Sequence, residues 1–185
     1  MNITVDNLSG KFLIAAPGLN DPHFSRTVIL ICDHTEDGAF GLVINRVLMN
    51  SFRPLLDSFD IKSSVIDLPV YYGGPVKPEQ GYVLYSPIYE RYVSIKISEK
   101  IALTASREIL QDIANGKGPR NFMFSLGFAG WDANQLEEEI MFDSWIIAPF
   151  ETSIIFSTPV NERWACAARL AGIDFNRFVS WSGNA

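Results

Sequence analysis

Ser125-Leu-Gly-Phe-Ala-Gly-Trp-Asp-Ala-Asn-Gln-Leu-Glu-Glu-Glu-Ile140 reads as the end of a strand, a glycine-rich turn and an amphipathic helix. The run Asn121-Phe-Met-Phe-Ser-Leu126 supplies a buried strand leading in. Asp132 suits an N-cap, with Gln135 at the three-residue spacing of a capping box. Leu136, Ile140 and Met141 fall on one helical face, while Glu137, Glu138 and Glu139 make a solvated stretch near the helix start, where negative charge is favourable. Trp131 stands at the junction and reads as exposed. Strand-to-helix junctions are where α/β proteins often bind ligands, so Gly130, Trp131 and Gln135 become candidate ligand-binding residues. Gly127-Phe-Ala-Gly130 lacks the GxGxxG pattern and the lysine of a phosphate loop, and a tight turn explains its two glycines equally well.

Outward from this junction, strands and helices mix without strict alternation. Phe12-Leu-Ile-Ala-Ala16 is the first ordered segment, and Thr27-Val-Ile-Leu-Ile-Cys32 and Ala39-Phe-Gly-Leu-Val-Ile-Asn45 are apolar on both faces, as buried central strands are. The last two are joined by a short polar loop and should pair as a hairpin. Asp21-Pro22 should cap a short helical turn. Pro69-Val-Tyr-Tyr72 runs into the turn Gly73-Gly74-Pro75, and Gly81-Tyr-Val-Leu-Tyr85 follows. Tyr92-Val-Ser-Ile-Lys-Ile97 alternates as a half-exposed antiparallel strand. Trp145-Ile-Ile-Ala148 and Ser153-Ile-Ile-Phe156 also read as strands. Helices are expected over residues 51–60 and 106–114, after Asp132, and from Thr158 to Leu170, about four in all. The tail from Ile173 to Ala185 has no clear period. The fold expected is α+β: one domain spanning residues 1–185, with a core at about 8–173 and a mainly antiparallel or mixed sheet.

Composition narrows the function. Apolar content of 48% supports a real core. The net charge is −6 with no basic run, a poor match to DNA or to an anionic membrane surface. No apolar run approaches the roughly 18 residues of a membrane span, and Met1-Asn-Ile-Thr-Val-Asp6 has no secretory signature. Two unmatched cysteines, Cys32 and Cys166, suit a reducing cytoplasm.

Cys32-Asp33-His34 is the place with nucleophile-like chemistry. Residues two apart on an extended strand share a face, so His34 could activate the Cys32 thiol. The plainer reading makes Cys32 the last apolar residue of a buried strand. With two histidines and no paired ligand spacing, no metal site is expected, and no cofactor. Gly41 inside a strand pattern suggests a bulge or a close approach of backbones. Asn45 ends its strand, and with Gly73 and Gly74 it joins the candidate ligand-binding set.

In this order the segments resemble the AlgH/YqgE family of bacterial proteins. The resemblance rests on Phe12-Leu-Ile-Ala-Ala-Pro17, Asp21-Pro-His-Phe-Ser-Arg-Thr-Val28, Cys32-x-His34, Gly38-Ala-Phe-Gly-Leu-Val-Ile-Asn45 and Gly73-Gly-Pro-Val76. Gly81-Tyr-Val-Leu84, Gly127-x-Ala-x-Trp131, Gln135-Leu-Glu137, Trp145 and Arg163-Trp164 complete it. Asn134 departs from the family's usual Gly and Tyr85 from a common His. The resemblance implies a sheet curled towards a barrel and a cytoplasmic bacterial protein without an established activity. Members are often described as transcriptional regulators, from a link to alginate production. The expectation is therefore a regulatory protein that binds a protein partner or small ligand through a groove near Asn45, Gly73-Gly74 and Gly130-Trp131. Direct DNA contact is not expected, and a homodimer is plausible from the many strand edges. The alternative is a thiol enzyme or redox sensor using Cys32 with His34.

Overall fold

The β-branched runs fold as strands buried on both faces. The computed structural model of the protein describes residues 7–62 and 67–174. The segment Met1–Asp6 and most of the aperiodic tail lie outside the described residues. Strands β1 (Lys11–Ala15), β2 (Val28–Thr35) and β3 (Gly38–Val43) form an antiparallel meander, with β2 and β3 the expected hairpin. Strand β4 (Val47–Met49), helix α1 (Arg53–Ser58) and strands β5 (Val70–Tyr72) and β6 (Val76–Ser86) follow. Then come β7 (Ile95–Lys96), β8 (Ala102–Thr104) and helix α2 (Arg107–Ala114), whose N-cap Ser106 accepts a hydrogen bond from the Glu108 N–H. The chain continues as β9 (Asn121–Asp132), α3 (Gln135–Met141), β10 (Trp145–Pro149), α4 (Thr152–Phe156) and α5 (Arg163–Leu170).

The strands run β10-β1-β2-β3-β9-β6-β8-β7, with β5 beside β9 and β4 beside β5. Neighbours are antiparallel apart from β5 against β9. Strand β9 carries the curl. Residues 121–128 pair with β6, and residues 129–132 pair with β3. One long strand thus passes between two halves of a half-barrel, and the chain before β1 reaches the chain after β7, at Gly10 and Ile97.

Three apolar clusters follow. Phe12, Leu30 and Leu42 face Ile154, Ile155, Ala167 and Ala168 of α4 and α5. On the opposite face of the same strands, Leu13, Ile29, Ile31 and Val43 meet Trp131, Trp145 and Leu136. Helices α1 and α2 cover Val83, Tyr85 and Phe124. Each fully buried Leu, Ile or Phe contributes about 1.5–3 kcal/mol, so strands with both faces covered anchor the fold.

The structure corrects the sequence reading in several places. Gly127–Gly130 is not a turn but the middle of β9, because Ala129 and Trp131 alternate inward against Phe128, Gly130 and Asp132. Ser153–Phe156 is helix α4, which buries Ile154 and Ile155 against the concave face, so the described residues hold five α-helices rather than about four. Of Tyr92–Ile97, residues 95–96 are strand, and Tyr92 closes a 3-10 turn. The short turn expected from Asp21-Pro22 is present over residues 22–26, and Asp21 Oδ1 accepts from the His23 and Phe24 N–H groups.

Candidate functional site

A β-bulge decides the fate of the proposed thiol pair. Register between β2 and β3 shifts between Ile31 and Asp33, so that Asp33 opposes Phe40 and His34 opposes Ala39. The extra residue turns the chain over. Cys32 packs with Leu30 and Leu42 in the concave cluster, whereas His34 looks across to α3. The expectation that the two share a face is overturned. Cys32 is 1% exposed, and its Sγ reaches the Leu30 carbonyl at 3.6 Å. Burial pushes its thiol well above the ordinary cysteine range. Cys32 is therefore expected to resist iodoacetamide at neutral pH in the folded protein, while the half-buried Cys166 is alkylated. Mass spectrometry of labelled peptides checks this, and rapid labelling of Cys32 in folded protein counts against it.

His34 has a structural assignment. The Leu8 N–H donates to its Nδ1 at 3.0 Å, which leaves the ring hydrogen on Nε2. Nε2 then donates to Glu137 Oε1 at 2.8 Å. The imidazole ties the segment before β1 to α3.

The β9–α3 junction is built around a second carboxylate. Trp131 is 6% exposed, not the exposed ring expected from the sequence. It lies near-parallel to Phe24 at 6.4 Å and edge-on to Trp145 at 6.1 Å. Its Nε1 donates to Glu139 Oε2 at 3.0 Å, and Trp145 Nε1 donates to the same oxygen at 2.7 Å. Gln135 Nε2 donates to Glu139 Oε1 at 2.9 Å, while Gln135 Oε1 accepts from the Asp132 N–H at 3.0 Å. The glutamate run is thus not a plain solvated face, because Glu137 and Glu139 are both half-buried and bound. The reach-back of the capping box survives, but the residue before α3 is Asn134, left-handed at φ 65°, rather than Asp132. Asn tolerates that conformation, which suits a position where the resembled family usually has Gly.

The remaining candidates hold backbone in place. Asn45 Oδ1 accepts from the Val28 N–H at 2.8 Å, and its Nδ2 donates to the Arg26 carbonyl at 2.9 Å. Arg46 donates to the Pro22 and Ser25 carbonyls, both at 2.9 Å. Together they clamp the loop before β2 to the end of β3. Gly73 and Gly74 pack backbone to backbone against Gly127 and Phe128. Gly130 is exposed on the face opposite Trp131. Gly73 lies beside the end of β3, its carbonyl accepting from the Val43 N–H, and Gly74 abuts the Ala129 nitrogen next to Gly130, whereas Trp131 points to the opposite face of β9.

What the sequence reading missed lies beside Gly130. Phe40, Tyr82 and Phe128 form a half-buried aromatic trio with ring centroids 4.8–6.1 Å apart. Val76, 37% exposed, stands next to them, its Cγ2 3.8 Å from where a Gly130 methyl would sit. Strand alternation hints at Phe128, and the bulge that sets the facing of the β2–β3 hairpin falls opposite Gly41, the glycine whose place in a strand pattern suggests a bulge or a close approach. Two other clusters were also missed. His23 Nδ1 meets the Tyr72 hydroxyl at 2.7 Å, and Arg163 is buried beneath α5. Among the described residues no three His, Cys, Asp or Glu side chains gather as metal ligands, and no helix is long and apolar enough to cross a membrane.

Similarity to known proteins agrees with the fold. The AlgH-like family model matches residues 12–176. A UPF0301 protein of Methylococcus capsulatus is 43% identical over 187 residues, covering 100% of both chains. One of Hahella chejuensis is 43% identical over 185 residues, again covering 100% of each. The solution structure of the AlgH protein from Pseudomonas aeruginosa superposes with a TM-score of 0.75 at 32% identity, covering 100% of both chains. A crystal structure from Corynebacterium diphtheriae, at 20% identity and TM-score 0.71 over 89% of this chain and 87% of its own, shares the fold. Motif order, half-barrel and end-to-end identity converge, and the chain belongs to the AlgH-like family.

Proposed function

We propose that the protein is a cytoplasmic regulatory protein that binds a protein partner or small ligand and does not contact DNA directly. The aromatic trio carries this reading. Half-exposed Phe and Tyr rings offer large, rigid contact area, and such residues anchor interfaces. Phe40, Tyr82 and Phe128 lie around exposed Val76 and the bare backbone of Gly130. Asp33, exposed and opposite Phe40 in the hairpin, adds an acidic neighbour. A chain of net charge −6 repels the phosphate backbone that dominates nucleic-acid affinity.

The thiol alternative gains nothing from the geometry around Cys32. A homodimer is part of the proposal. It would pair through β10, which ends the strand order, and light scattering that gives a monomer mass at every concentration removes it.

Photo-crosslinking tests the main reading. Benzoylphenylalanine in place of Val76 is expected to give one discrete adduct in cells, absent when the same residue replaces the exposed Lys62. Duplex DNA at physiological salt is expected to show no sequence-specific retardation. Equal adducts at both positions, or specific retardation of DNA, would overturn the proposal.

A further inference from the structure

Helices α4 and α5 pack over Phe12, Leu30 and Leu42 on one face of the sheet. Further along that face Phe40, Tyr82 and Phe128 stay half-buried, and Val76 is 37% exposed. The ladder sets what surrounds these rings. Residues opposed in neighbouring strands share a face, with Cβ atoms about 4.5–5.5 Å apart. Phe128 stands opposite Val76, while Phe40 stands opposite Gly130 on one side and Asp33 on the other. One step further, Gly38 stands between Thr35 and Asp132. The bulge keeps Asp33 on the side of Cys32, which packs in the same cluster, and the Asp33 charge helps raise the Cys32 thiol.

The charges at this rim share a sign. Asp33 and Asp132 are exposed, and so are Glu36 and Asp37 in the turn that joins β2 to β3. Lys77, beside Val76, is the cation set against these carboxylates. The patch is thus apolar at its centre and acidic along the edge formed by the β2–β3 hairpin and the end of β9. Its complement has the reverse pattern, an apolar side chain seated on the rings and cations beyond it. Arg suits both parts, since a guanidinium stacks on aromatic faces and pairs with carboxylates. A second copy of this chain, at net charge −6, is a poor source of that charge.

We propose that this face docks a basic segment of a partner protein, with an apolar side chain on Phe40, Tyr82 and Phe128 and flanking Arg or Lys side chains against Asp33 and Asp132. The inference rests on the partner reading above and adds the sign of the partner's charge. It also makes the contact salt-sensitive, because the carboxylates lie at an exposed rim.

Two synthetic peptides test it. Both carry a central Trp-Leu pair, one flanked by two arginines on each side and the other by two glutamates. In heteronuclear NMR of the isotopically labelled full chain, the arginine peptide is expected to move the amide signals of Phe40, Val76 and Gly130, less so as sodium chloride is raised. The glutamate peptide is expected to leave them in place. The double variant Asp33→Asn/Asp132→Asn is expected to bind the arginine peptide about fivefold more weakly. Asp57→Asn/Glu108→Gln removes the same net charge from α1 and α2, which cover a different cluster, and is expected to bind as the parent does. Equal shifts with both peptides, no shift with either, or equal affinities for the two double variants overturn the inference. A crosslink from position 76 that survives Asp33→Asn/Asp132→Asn undiminished also overturns it but leaves the partner reading standing. A parent chain that gives no adduct removes that reading instead.

Discussion

Gly74→Ala is expected to abolish cooperative folding. Gly74 has φ 152°, and a methyl there would lie 2.1 Å from the Phe128 carbonyl carbon, 2.2 Å from its oxygen and 2.3 Å from the Ala129 nitrogen. All three are backbone atoms of β9, which is held on both sides and cannot swing away. The collision is reciprocal, since a methyl on Gly127 would lie 2.3 Å from the Gly74 carbonyl oxygen. The neighbouring Gly73 fastens the same crossing. Its N–H donates to the Leu126 carbonyl and its carbonyl accepts from the Val43 N–H, both at 2.8 Å. Separating these chains unzips the junction between the two halves of the half-barrel, at a cost above about 4–5 kcal/mol. That is a large share of the roughly 5–15 kcal/mol of a whole domain. Gly116→Ala separates collision from backbone strain. Gly116 has φ 70° with nothing within 4 Å of its would-be methyl, so only strain remains, about 1 kcal/mol. Guanidinium unfolding followed by circular dichroism reads both variants. Equal midpoints for the two would show that the close crossing is not what the glycine serves.

Glu139→Ala comes next in size, at about 2–6 kcal/mol. The Glu139 carboxylate is the hydrogen-bond acceptor for two indole N–H groups inside an apolar cluster, those of Trp131 and Trp145. Removing it strands both donors, each at a cost of about 1–3 kcal/mol, and releases Gln135. Glu139→Gln keeps an amide oxygen where the carboxylate oxygen stood and is expected to cost about 1 kcal/mol. The gap between the two variants reports the stranded indoles. Urea unfolding monitored by tryptophan emission measures it directly. An alanine variant as stable as the glutamine variant would mean that water replaces the carboxylate without penalty.

Much of the fold could be read from neighbouring residues. The runs around Leu13, Ile29 and Leu42 are apolar on both faces, and all three strands are buried on both faces. The helix expected over 106–114 forms over residues 107–114. Glycine was the poor guide. Gly127 and Gly130 look like a turn because a glycine advertises freedom without saying whether that freedom serves a bend or the approach of another backbone. Ser153-Ile-Ile-Phe156 looks like a strand because its β-branched pair fits either state, and the concave face that buries Ile154 and Ile155 selected helix.

The candidate site was less legible, for a reason of geometry. Cys32 and His34 sit two apart, and the single residue that the bulge inserts sends them to opposite faces. Trp131, Gln135 and Glu139 were legible as neighbours along one helix start, though not as a ring of hydrogen bonds around one carboxylate.

Composition, period and capping residues belong to stretches a few residues long, so charge class, strand and helix content and family membership were present in the linear chain. Facing and enclosure belong to distant partners. Arg163 meets Met123, Tyr71 and Ile44 across 40, 92 and 119 residues of chain. The bulge in β2, the crossing at Gly74 and the shared carboxylate of Glu139 exist once the sheet has curled. Side-chain direction in a sheet reverses with every residue of register, and register is set by the neighbouring strand rather than by the strand itself.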